Sequence, residues 1–324
     1  MTQSLHRESA IATETTKLTV LEVARPTTDS VVMSLAASNG AELPEWTPGA
    51  HIDLVLGDNL VRQYSLCGDP SDRSRWRIGV LLEPESRGGS QFVHENVQPG
   101  STLTARGPRN HFPLVDSEHY LFIAGGIGIT PILAMVREAE AKGAQWQLLY
   151  GGRRRSSMVF LDELAAYADN VDICPQDERG LLDLASYLGK ATADTAVYCC
   201  GPEPLIAATE AICATENLSL HVERFTPRQD TEGAVSEEFE VYCAESDVTV
   251  TVPADSTILA EVRKAGIEVL SSCSEGTCGT CETDILEGEP DHRDSVLTPE
   301  EREAGESMMI CVSRCAGKRL VLDL

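Results

Sequence analysis

Cys273, Cys278 and Cys281 are spaced C-x4-C-x2-C, and twenty-nine further residues separate Cys281 from a fourth cysteine, Cys311. That is the plant-type spacing for a [2Fe-2S] cluster, in which each iron takes two thiolates and one tight loop supplies three of the four. Gly276 and Gly279 permit such a loop and let backbone N–H groups approach the sulfurs. A structural zinc site is the competing reading, but zinc usually takes cysteines in two close pairs, which the x4-x2 triplet does not supply. Cys315, four residues past Cys311, is the rival for the fourth position. The other cysteines, Cys67, Cys174, Cys199, Cys200, Cys213 and Cys243, lie mostly in apolar runs and read as core residues, with Cys200 the candidate exception.

A second constellation is rich in glycine. The run from Phe122 to Pro131, FIAGGIGITP, joins a predicted strand to a predicted helix that Pro131 is suited to open. Gly125, Gly126 and Gly128 would let a backbone approach a pyrophosphate at that helix N-terminus, with Thr130 beside it. The run lacks the third glycine of G-x-G-x-x-G, and taken alone a structural glycine turn explains it as well. Tyr198 to Pro202, YCCGP, repeats the strand-to-helix pattern and brings Cys200, Gly201 and Pro202 to the carboxyl end of another strand, where binding crevices form. Arg153, Arg154 and Arg155 follow the strand WQLLYG and suit phosphate or ribose oxygens, although an exposed basic loop without a ligand has the same sequence.

Arg62, Tyr64 and Ser65 lie in one β-type run, and period-two alternation sends Arg62, Tyr64 and Leu66 to one face with Ser65 opposite. Arg87 to Gln91, RGGSQ, precedes the short helical stretch FVHEN, so Gly88, Gly89 and Ser90 offer backbone N–H groups to a phosphate unless the segment is simply a loop.

Three kinds of element must position these groups. From Lys17 to Arg106, short runs such as LTVLEV, VVMSLAA, HIDLVL, VRQYSLC and WRIGVLL, parted by turn formers, predict an antiparallel barrel or sandwich. From Tyr120 to Phe225, strand runs (YLFIAG, WQLLYG, VDIC, AVYCCG, LHVERF) alternate with helical patterns and predict an α/β parallel sheet. Thr226 to Ser236 reads as a linker. Glu237 to Leu324 offers strands at FEVYCA, VTVTV, CETDIL and RLVLDL and one helix at TILAEVRKAG, capped by Asp255 or Ser256 and ended by Gly266. The expected domains are therefore residues 1–114, 115–225 and 237–324, joined by the linker 226–236.

The balance of 26 basic against 51 acidic residues gives a net charge of −25, which makes nucleic acid a poor partner. The first sixteen residues lack the apolar core of a signal peptide, and the longest uncharged run, Tyr120 to Val136, is broken by three glycines and Pro131. A cytoplasmic chain without a membrane span is expected.

Together these motifs resemble the ferredoxin-NADP reductase superfamily: R-x-Y-S on the barrel, G-G-x-G-x-T-P opening the nucleotide domain and C-G-P near its end. The order of flavin barrel, nicotinamide domain and C-terminal ferredoxin is similar to the phthalate dioxygenase reductase family over essentially the whole chain. Within it, GEPDHRDSVL and MMICVSRCAGKRLVLDL resemble the ends of vanillate O-demethylase and carnitine monooxygenase reductases, a likeness that puts the fourth ligand at Cys311. The resemblance implies a β-grasp ferredoxin fold, FMN rather than FAD, and NADH rather than NADPH. It also implies roles: Ser65 near the reactive flavin nitrogen, Tyr64 on the ring, and Arg62 with Gly88, Gly89 and Ser90 on the phosphate. Phe225 would cover the face where nicotinamide arrives, with Cys200 and Thr130 near that ring. The implied partner is a terminal oxygenase, most simply of Rieske type, served by a monomer. A haem monooxygenase as acceptor, or a flavin/iron-sulfur redox sensor, are the alternatives.

Overall fold

The computed structural model describes residues 15–57, 60–83, 88–227 and 237–324. Arg87 of the RGGSQ motif and most of the expected linker lie outside the described residues. The chain divides into two compact units, one ending at Glu223 and the other beginning at Arg224.

In the first unit, β1 (Thr15–Ala24), β2 (Ser30–Ala37), β3 (His51–Gly57), β4 (Leu60–Ser65), β5 (Trp76–Leu81) and β6 (Thr102–Arg109) form an antiparallel sheet in the order β4-β3-β6-β1-β2-β5. A bridge between Leu66 and Ile78 brings the two edges of this sheet together, so it curls into a barrel. Alternation places Ile52 and Leu54 of β3 in the core, and their cross-strand partners Tyr64 and Arg62 share that face; His51 pairs with Ser65 on the other. The strand β6 has no counterpart among the predicted runs, because Leu103 and Ala105 are the only buried apolar side chains of TLTARGPR. Helix α1 (Gly89–Asn96) lies between β5 and β6 in sequence.

The same unit contains a parallel sheet of β7 (His119–Gly125), β8 (Gln145–Gly152), β9 (Val171–Pro175), β10 (Thr195–Cys200) and β11 (Ser219–Glu223), ordered β11-β10-β7-β8-β9. Its helices are α2 (Ile129–Ala141), α3 (Leu161–Leu164), α4 (Gln176–Arg179), α5 (Leu184–Leu188) and α6 (Glu203–Glu216). Tyr120, Phe122 and Ala124 pack into a core on one face of β7 while Leu121 and Ile123 pack on the other. Burial on both faces is why that strand reads as an unbroken apolar run. The helices begin slightly off the expected positions: Pro131 is the third residue of α2, and Pro202 is the residue before α6 rather than its first. Strand β11 ends at Glu223, two residues before Phe225.

In the second unit, β12 (Phe239–Cys243), β13 (Val248–Val252), β14 (Glu282–Glu287), β16 (Ser307–Met309) and β18 (Arg319–Leu322) form a mixed sheet ordered β13-β12-β18-β14-β16. The pair β12 and β18 is parallel and the others antiparallel, with α7 (Ile258–Lys264) burying Ile258, Leu259 and Val262 in the shared core: a β-grasp arrangement. Short strands β15 (Pro290–Asp291) and β17 (Arg314–Cys315) pair separately. The cap of α7 is Thr257, whose hydroxyl accepts from the Ala260 N–H at 3.1 Å, and not Asp255 or Ser256; the Ser256 hydroxyl is bonded to Glu261 instead. Gly266, at φ +87°, follows the helix as expected. Helix α8 (Pro299–Ala304) carries a reciprocal capping box between Thr298 and Glu301, a T-x-x-E signature. Among the described residues, no helix is long and apolar enough to cross a membrane.

Candidate functional site

The strand order reverses between β7 and β10, and a parallel sheet opens a crevice at such a point beyond the carboxyl ends of its strands. Both glycine loops stand there. Gly125 ends β7, Gly126 to Gly128 form a 3-10 turn, and α2 follows at once. A side chain at Gly128 would meet the Cys200 carbonyl carbon at 2.5 Å and the Gly201 nitrogen at 2.8 Å; one at Gly201 would meet Gly125 at 3.0 Å. Three of the glycines are thus needed because the loops touch backbone to backbone. Gly126 differs: at φ +56° its missing side chain would point into open space, leaving room for a ligand against the turn. The Thr130 hydroxyl is buried and donates to the Ile127 carbonyl at 2.9 Å, bracing that turn. Pro202 packs against Gly125 from the second loop. Arg153, just past β8, is exposed, and among the described residues its side chain has no ion-pair partner, whereas Arg155 is held by Glu178.

At the barrel, Ser65 ends β4 and its hydroxyl donates to Glu223 Oε2 at 3.3 Å. Glu223 ends β11 and stands in register with Cys200 of β10, which in turn pairs with Ala124 of β7. Ser65, Glu223 and Cys200 therefore meet where barrel and parallel sheet adjoin. Enclosure pushes the Glu223 carboxyl up to about 8, with the Ser65 bond opposing. Burial likewise raises the Cys200 thiol well above its ordinary value, with Glu223 adding to the effect, so that thiol is neutral. Sequence reasoning missed Glu223; the available signal was a lone carboxylate in the predicted strand LHVERF. Tyr64 is half-buried against the barrel core, and enclosure raises its hydroxyl despite the nearby Arg62.

Arg62 and the Gly88–Gly89–Ser90 segment come together. The stem of Arg62 lies across Gly89, the first residue of α1, with Nε 2.8 Å from where a side chain there would begin. Gly88 adopts φ +86° to turn into the helix, and the Ser90 hydroxyl accepts from the Glu83 N–H at 3.2 Å. Phe225 is 43% exposed and belongs to the second unit.

In the second unit, Cys273, Cys278, Cys281 and Cys311 are all buried. Their thiols contact one another as the pairs Cys273–Cys278 and Cys281–Cys311, linked through Cys273 and Cys311. Hydrogen bonds from Cys278 and Cys311 hold Cys273 far below its ordinary value, and Cys311 lowers Cys281. The N–H groups of Glu275 and Thr277 donate to Cys273 Sγ at 3.3 and 3.4 Å, and Ser274, Gly276 and Gly279 take positive φ to aim the loop. This donor set fits a [2Fe-2S] cluster: sulfur only, enclosed, in two pairs, with amides directed at sulfur. Cys315 stands apart on β17, opposite Pro290. Beneath the loop, the Ser295 N–H donates to the Gly276 carbonyl at 2.7 Å, and buried Asp294 accepts from the N–H groups of Val296 and Leu297, each at 2.8 Å. The DHRDSVL stretch thus braces the cysteine loop.

Residues 122–211 match the oxidoreductase NAD-binding domain, and residues 241–316 match the 2Fe-2S iron-sulfur cluster binding domain. The chain is 42% identical over 312 residues to the carnitine monooxygenase reductase subunit of Escherichia coli (strain K12), covering 92% of this chain and 95% of that one. It is also similar to the solved structure of phthalate dioxygenase reductase, described as modular for electron transfer from pyridine nucleotides to [2Fe-2S], at TM-score 0.70 and 33% identity, with 96% and 98% of the two chains covered. An intact type IV self-sufficient cytochrome P450 monooxygenase is similar at TM-score 0.90 and 43% identity; 96% of this chain spans 41% of that longer one. Fold and site define an NAD-dependent, iron-sulfur oxidoreductase. The chain belongs to the phthalate dioxygenase reductase family.

Proposed function

We propose that the chain is the reductase component of a multicomponent oxygenase: it takes a hydride from NADH and delivers single electrons to a separate terminal oxygenase, of Rieske type, acting in ring hydroxylation or O-demethylation. One observation carries the reading. A nucleotide crevice and four paired, buried thiols stand in the same chain, and a nicotinamide gives electrons in twos whereas such a cluster takes one. FMN would supply the chemistry that accepts the pair and releases its members singly.

The protein's own residues bind and orient. Arg62 and the N–H groups of Gly88, Gly89 and Ser90 hold the flavin phosphate, Tyr64 packs on the ring, and Ser65 directs its hydroxyl toward the reacting edge, oriented by Glu223. Gly125, Gly126, Gly128 and Thr130, with Gly201 and Pro202, receive the nicotinamide end; Cys200 lines it as a neutral thiol, Arg153 meets the ribose or phosphate, and Phe225 covers the ring face. Cys273, Cys278, Cys281 and Cys311 ligate the cluster. The working divisions are a flavin barrel (1–114), an NAD domain (115–225), a linker (226–236) and a ferredoxin domain (237–324), in a cytoplasmic monomer.

Acid treatment should release FMN, one per chain, and the loaded protein should reduce cytochrome c with NADH over many turnovers, at higher kcat/KM than with NADPH. Cys311→Ser should abolish the iron-sulfur absorbance while NADH still reduces the flavin, and Cys315→Ser should leave the cluster intact. Recovery of FAD, or the opposite behaviour of the two cysteine variants, overturns these assignments; reduction that stops after one equivalent points to a sensor. A haem monooxygenase is the second acceptor to assay, favoured by the likeness to the self-sufficient P450 chain.

A further inference from the structure

Between barrel and parallel sheet lies a cluster of charged side chains that the proposed chemistry does not use. Glu163 of α3 receives both ends of the Arg77 guanidinium from β5, with Arg77 Nη1 at 2.9 Å from Glu163 Oε2, and is also bonded by Arg137 of α2. Arg137 spends its other nitrogen on the barrel: Nη1 donates to the carbonyls of Cys67 and Gly68 at 2.9 and 2.8 Å. Cys67 and Gly68 lie two and three residues past Ser65, the end of its strand, and α2 is the helix opened by the glycine turn. The backbone that carries Ser65 and the backbone that carries the nicotinamide loop are therefore tied through one carboxylate and two guanidiniums.

The local chain is bent to make this contact. Phe160, just before α3, adopts φ +63°, a left-handed conformation that non-glycine residues rarely take. That turn sends its ring under the Arg77 guanidinium, 4.7 Å from the ring centre, and to within 3.7 Å of where a side chain on Gly79 would begin. Thr130 and Ile127 of the nicotinamide turn close on the same glycine, Thr130 Cγ2 at 2.9 Å. Burial alone would raise the Glu163 carboxyl, but Arg77 and Arg137 overcome it and hold the group below its ordinary value, ionised. A bidentate, partly enclosed pair fixes direction as well as distance, which a lysine cannot reproduce.

The geometry points to Glu163 and Arg137 as positioning residues for hydride transfer: the Arg77–Glu163–Arg137 clamp sets the approach of the nicotinamide turn to the Ser65 end of the barrel. This rests on the functional reading above, in which those two places hold nicotinamide and flavin. Neither residue is placed in contact with either group, so the effect must act through backbone placement.

Full-length, FMN- and cluster-loaded protein should be mixed with NADH, and with NADH deuterated at the transferred position, in stopped flow. For Glu163→Gln and for Arg137→Lys, the limiting rate constant of flavin reduction should fall by ~10- to 100-fold, since small displacements of reacting atoms have that effect. The apparent Kd for NADH should move less than about threefold, and the isotope effect should change, which mere loss of stability would not cause. Flavin content and iron-sulfur absorbance should be retained. Limiting rates and isotope effects equal to wild type in either variant overturn the inference, as does loss of flavin in both variants, which would make the clamp purely structural. Wild-type protein that fails to reduce its flavin with NADH would instead overturn the functional reading.

Discussion

A carboxyl group enclosed beside a serine hydroxyl is a proton store, and Glu223 is such a group. Its folded pKa is about 8 against an ordinary 4.5, because enclosure penalises the charge more than the Ser65 bond favours it. Between those two values the folded chain keeps a proton that the unfolded chain releases, so this residue makes stability fall as pH rises from about 4.5 to 8, by at most about 1.4 kcal/mol per pH unit. Below that window both states are protonated and the contribution is flat. Comparing Tm across pH 5 to 9 for wild type and Glu223→Gln isolates the effect: the wild-type curve should decline relative to the variant up to about pH 8 and run parallel above it. Curves that stay parallel throughout would show that the carboxyl is ionised at neutral pH.

At the scale of elements, the crevice depends on two loops sharing space that only hydrogen atoms can occupy. Gly128→Ala would drive a methyl group into the Cys200–Gly201 backbone and part the loops. NADH-dependent flavin reduction should then drop by ~10-fold or more, with flavin content and cluster absorbance unchanged, because both are held by other elements. An unaltered kcat/KM for NADH would show that the loops do not set the site. Most of these elements were legible in sequence, since runs such as YLFIAG and VTVTV carry enough β-branched and aromatic residues to be read alone. What escaped had a physical reason in each instance. The strand β6 contributes few core side chains and contains Gly107-Pro108, which reads as a turn; α8 is short and exposed, recognisable only by its cap. The cysteine loop, the glycine loops and Arg62 could be read as local patterns, whereas Glu223, Arg137 and Glu163 act through neighbours distant in sequence. No spacing rule reveals those.

For the molecule as a whole, charge is distributed unevenly. Residues 237–324 hold seven basic and twenty acidic side chains, a net −13 of the total −25, in about a quarter of the length. Acidic side chains keep many domains soluble without serving a partner. In the proposed role the same domain meets another protein, delivers an electron and leaves, and complementary charge speeds encounter without demanding a tight complex. The acceptor should present a basic patch. Its reduction should slow steeply as salt rises from low to physiological strength, where screening sets in over about 8 Å, while reduction of the chain's own flavin by NADH changes less. Stopped-flow traces of both steps against ionic strength separate them, and an acceptor step that is flat or faster with salt removes electrostatic docking from the account.

The enclosed cysteines outside the cluster have a consequence for durability. Burial pushes Cys67 up to about 12 and Cys174 and Cys213 to about 11, with Cys200 and Cys243 also raised. A protonated thiol out of reach of solvent is a poor nucleophile toward peroxide, and the oxidation that would begin with a sulfenic acid has no thiolate from which to start. A chain that moves electrons in the presence of dissolved oxygen meets peroxide as a by-product, and these sulfurs, packed as small apolar side chains, are shielded from it for as long as the fold is closed around them.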